Sequence, residues 1–62
     1  MNLETAVKVW TLEAVAHDYA GFLVIDLGEE LGRVFLQSKS ELEPARKSMQ
    51  IHEHTILKEV LL

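Results

Sequence analysis

Phe22-Leu23-Val24-Ile25-Asp26-Leu27-Gly28-Glu29-Glu30-Leu31-Gly32-Arg33-Val34-Phe35-Leu36-Gln37 is the stretch that decides the fold. Two runs rich in β-branched, aromatic and aliphatic residues, Phe22–Ile25 and Arg33–Gln37, flank a polar segment carrying two glycines. That pattern predicts an antiparallel hairpin with strands over about 22–26 and 33–37. Gly28 and Gly32 supply the positive φ angles that a turn or bulge demands. The alternative is an all-α helical hairpin with residues 22–38 helical. It places both glycines inside a helix, at about 1 kcal/mol each.

Toward the N-terminus, Leu3, Val7, Trp10 and Ala14 recur at helical spacing with Ala6 beside them, and Glu4, Lys8, Thr11 and Asp18 fall opposite. A helix over about 3–19 follows, with Asn2 as N-cap, a Glu4–Lys8 pair one turn apart, and Gly21 as the C′ glycine. A strand through Val7–Leu12 would instead give a three-stranded meander followed by a C-terminal helix. Its alternation is poor, because Trp10 and Leu12 would share a face with Lys8.

Toward the C-terminus, Ser40-Glu41-Leu42-Glu43 has the spacing of a capping box, and Pro44 suits a first helical turn. Beyond it, Ala45, Met49, Ile56 and Val60 form one stripe with His52 inside it and Leu57 and Leu61 alongside, and Glu43 pairs with Lys47. The expectation is a helix over about 41–61. The architecture is then α+β: helix, hairpin, longer C-terminal helix. A two-stranded hairpin is barely stable alone, so either the helices cover it or a second protomer extends the sheet.

Sixty-two residues make one small domain, 1–62, which buries only about 60% of the surface its unfolded chain exposes. No cysteine is present, which removes disulfides and thiolate metal sites and fits a reducing cytoplasm. Hydrophobic residues reach 48%, more than one small core comfortably hides. Self-association is the expected remedy, with Trp10, Met49, Ile56, Val60 and Leu61 as candidate interface residues. The longest strongly apolar run, Phe22–Ile25, is far short of a membrane span, and the start Met-Asn-Leu-Glu-Thr is acidic, unlike a signal peptide.

Chemistry-bearing groups are sparse. His52-Glu53-His54 is the one cluster of ligand-type residues, but on a helix the two histidines point about 200° apart. His17-Asp18 suits a helix C-terminus better than an acid–base pair. Asp26, Glu29 and Glu30 lack the spacing of a calcium loop, and no phosphate loop or other cofactor motif occurs. Arg33, Lys39, Arg46 and Lys47 are the local basic concentration, with Glu41 and Glu43 among them and a net charge of −4 overall. These features predict a non-enzymatic interaction module acting as a homo-oligomer, most simply a dimer. A small nucleic-acid-binding regulator of phage or antitoxin type is the alternative, and a His52/His54 metal-binding protein the second.

Overall fold

The computed structural model describes all residues, 1–62. The chain is α+β and runs α1 (Leu3–Ala16), β1 (Gly21–Asp26), β2 (Leu31–Leu36), a 3-10 turn (Lys39–Glu41), α2 (Leu42–Ile51) and β3 (Thr55–Leu61). The strands form one antiparallel sheet in the order β2-β1-β3.

The first helix forms where the spacing places it, so neither the all-α hairpin nor the meander describes this chain. The Asn2 side chain accepts from the Thr5 N–H at 2.8 Å, satisfying one of the donors that a helix start leaves orphaned. Ala6, Trp10 and Ala14 are its buried residues. The helix stops at Ala16, short of residue 19. Asp18 takes the left-handed conformation (φ 58°). Tyr19 then donates to the Ala14 carbonyl at 2.9 Å and Asp18 to the Val15 carbonyl at 3.2 Å, the bond pair of a Schellman stop. Gly21 is therefore no cap. It opens β1, where a Cβ would lie 2.2 Å from the Val60 carbonyl oxygen, so only glycine lets β3 approach.

The hairpin is tighter than its sequence suggests. β2 begins at Leu31 rather than 33 and ends at Leu36, with register running from Gly21↔Leu36 to Asp26↔Leu31. Leu27 donates to the Glu30 carbonyl at 3.0 Å, and Gly28 has φ 95°. Glycine reaches that left-handed region of φ without the steric cost a side chain would bring. The Asp26 carboxylate braces the turn by accepting from the Gly28 N–H at 2.8 Å. Gly32 lies inside β2 and has no positive φ.

The C-terminal region departs most from expectation. The helix occupies Leu42–Ile51 only, and Thr55–Leu61 is a strand. Ile56/Val60 and Leu57/Leu61 stand four apart and read as a helical stripe, but β1 has a second edge, and pairing with it outweighs local spacing. The helix ends as α1 does: Glu53 has φ 59°, His54 donates to Met49 at 2.8 Å and Glu53 to Gln50 at 3.1 Å. No glycine marks the stop. Its start is also displaced, since the Glu41 carboxylate accepts from the Ser38 N–H at 3.1 Å and from Gln37 N–H, two residues before the Ser40–Glu43 pair. Pro44 does lie in the first turn of α2.

Both faces of β1 are covered. Phe22 and Val24 join Ala6, Trp10 and Ala14 in the core under α1, with Val7, Tyr19, Leu31, Phe35 and Val60 packed against it. Leu23 alternates to the other face, is fully buried, and stands opposite Glu59. The α2 residue Arg46 reaches Glu59, which places α2 on that second face. The molecule measures 29 × 28 × 13 Å. Three strands about 4.8 Å apart span about 10 Å, so the thin dimension runs across the strands. The result is a narrow helix–sheet–helix slab, one strand wide on either side of β1.

Candidate interaction surface

The first helix is apolar on two sides. Its inward side fills the core, while Val9, Leu12 and Val15 face water, Leu12 at 73% and Val15 at 61% exposure. Their spacing of three residues keeps them near one another on a helix surface. The stripe of Leu3, Val7, Trp10 and Ala14 runs along the inward side and leaves these three out. The signal lies in the residues themselves, since Val9, Leu12 and Val15 widen the apolar part of this helix beyond one stripe.

Contacts around Arg33 mark where α1 lies over the sheet, above the apolar core it shares with β1. Arg33 on β2 stands 5.3 Å from the centre of the Trp10 ring and 5.5 Å from that of Phe35. Its Nε lies 3.6 Å from a Glu13 carboxylate oxygen. Phe35 stacks on Tyr19 with ring centres 4.7 Å apart and meets Phe22 edge-on at 6.0 Å. The helix thus rests over β1 and β2. On its other flank a groove of about 510 Å³ opens toward β3, lined by Leu3, Glu4, Val7, Lys8 and Lys58.

Backbone hydrogen bonding shows which groups of β2 have partners. The bond from Leu27 to Glu30 makes that pair hydrogen-bonded, and antiparallel pairs alternate. Gly32, Val34 and Leu36 therefore bond to β1, and the N–H and C=O groups of Leu31, Arg33 and Phe35 point out of the sheet. On the opposite edge the ladder is irregular: Val24 pairs with Lys58 and Ile25 with Ile56, leaving Leu57 as an inserted bulge residue.

The candidate interface residues are dispersed. Trp10 is buried in the core, Met49, Ile56 and Val60 are half-buried, and Leu61 is exposed. The histidines serve the α2 stop, with ring centres of His52 and His54 6.3 Å apart, and no group of three or more His, Asp or Glu side chains is placed to hold a metal ion. His17 caps α1 with its ring 6.0 Å from Tyr19, and Asp18 forms the αL stop.

Among Arg33, Lys39, Arg46 and Lys47, both arginines are paired with carboxylates. Arg46 donates to Glu59 at 2.7 and 2.6 Å and also to Glu43, while Arg33 faces Glu13. Hydrogen bonding to Arg46 holds the Glu59 carboxyl below its usual value, and the same bonds raise Arg46. Of the four, only Lys39 and Lys47 form no ion pair.

No helix is long and apolar enough to cross a membrane. No known family model, curated protein or solved structure significantly matches this chain.

Proposed function

We propose that the chain is a non-enzymatic, cytoplasmic interaction module that works as a homo-oligomer, most simply a dimer. The outward side of α1 carries this reading. Val9, Leu12 and Val15 support no contact within the fold's core, yet they place aliphatic surface in water on the longest helix. A domain of this size folds marginally, and covering such a face is a direct way to stabilise it. The loss of free guanidinium groups to Glu13, Glu43 and Glu59 weighs against a phosphate-binding surface.

Light scattering behind size exclusion, over a hundredfold dilution, tests the reading. A dimer that persists on dilution is expected. Leu12→Asp, which alters a side chain exposed in the single chain, should then give a folded species near 7.0 kDa. A native protein that is monomeric at every concentration sinks the proposal.

A further inference from the structure

Resting on that reading, we propose where the copies meet: β2 pairs antiparallel with β2 of a second copy, joining two three-stranded sheets into one of six strands. The open groups of Leu31, Arg33 and Phe35 provide the ladder. Natural sheets protect free edges with bulges and charged side chains, and β3 has both, in the Leu57 bulge and in Lys58. β2 has no bulge, and its one charge, Arg33, is drawn back over Trp10.

The sequence of β2 suits a copy of itself. Outward groups must meet outward groups, so a two-fold axis passes through Arg33 or Val34. The first choice sets two arginines directly opposite, which is unfavourable. The second places Val34 against Val34 and Gly32 against Leu36 on the α2 face, and Arg33 against Phe35 of the second copy on the α1 face. Arg33 already lies against its own Phe35 ring, and a second ring offers the same kind of contact.

The helices agree with this axis. Glu13, by reaching Arg33, marks the β2 side of α1, and Val9 and Ala16 lie four residues before it and three after, on that same side. With α1 over the β1–β2 pair and one strand spacing across the junction, the two α1 axes come about 10 Å apart, within the range of packed helices. Val9 and Ala16 then meet their counterparts with Leu12 beside them, while Val15, about 120° round the helix from Val9, lies outside the contact.

Hydrogen exchange by NMR tests the pairing without altering the chain. In the single chain the amides of Leu31, Arg33 and Phe35 have no partner. In the dimer those of Arg33 and Phe35 should exchange slowly, and dilution below the dimer midpoint should speed them about tenfold or more. The outward amides of β3, at Glu59 and Leu61, should not respond. As a second measurement, Arg33→Pro removes an outward N–H while leaving the β1 ladder, a place where an edge strand tolerates proline. It should give a folded monomer, whereas Leu61→Pro should remain dimeric. If the native protein is a dimer whose Arg33 and Phe35 amides exchange freely, the β2 pairing is wrong while self-association stands. A native monomer overturns both.

Discussion

The two edges of the sheet pair with the same central strand and are built differently. β2 meets β1 through a four-residue turn, in uninterrupted register over six pairs. β3 arrives after a 3-10 turn, a helix and a three-residue connection, and its register breaks between Val24 and Ile25. One edge is specified by its neighbours in sequence. The other depends on distant contacts: the glycine at position 21, the Arg46–Glu59 bridge, and the left-handed residue that releases the chain from α2. Local construction gave a regular, open edge, and long-range construction an irregular, guarded one.

The hardest way to break this contrast is Gly21→Ala. Its Cβ would lie 2.2 Å from the Val60 backbone oxygen, which cannot rotate away, so β1 and β3 must separate. A loss of about 3 kcal/mol or more is expected in urea denaturation. Native-like stability would mean that β3 docks with more freedom than its register implies. Deleting Leu57 would sharpen the contrast instead. Without the bulge residue β3 becomes a second regular edge, and the protein should keep its circular dichroism while light scattering reports larger assemblies than the native chain forms. An unchanged state of assembly would show that the bulge guards nothing.

Glu53→Gly acts at the entry to β3. A non-glycine residue at φ 59° carries a penalty of about 1–2 kcal/mol, partly offset by the extra freedom glycine gives the unfolded chain. Thermal denaturation should show a gain of about 0.5–1 kcal/mol, and a loss would mean that the Glu53 side chain stabilises the turn. The smallest effect is confined to acid. The folded carboxyl of Glu59 titrates below its ordinary 4.5, so its contribution is complete above that value and lost as pH falls through the lowered folded one. Glu59→Gln should flatten that part of the acid limb of stability, and an unchanged limb would show the bridge to be indifferent to folding.

What could be read from the residues follows the same division. Phe22–Ile25 and Arg33–Leu36 declare themselves as strands because turn chemistry and β-rich composition lie within one short window. Asn2 and the Ala6-Trp10-Ala14 face declare α1 for the same reason. Thr55–Leu61 does not: Ile56 and Val60, like Leu57 and Leu61, sit four apart, and β1, the partner that overrides this spacing, is some thirty residues away. Asp18 and Glu53 end helices without the glycine that signals a stop, so both helix ends were misplaced. The exposed side of α1 was hidden by the stronger stripe beneath it. The surplus of apolar residues was legible, but its place on α1 and the bare edge of β2 needed the register.

The central position of β1 has a consequence whenever β3 is undocked. The chain then keeps α1, β1 and β2, but the outward amides and carbonyls of Phe22 and Val24 lack the strand that covers them. It carries two open edges where the docked form carries a single regular one. A chain cut after residue 54 would display the sheet at its stickiest, and a protein that binds extended segments would find its footing along β1.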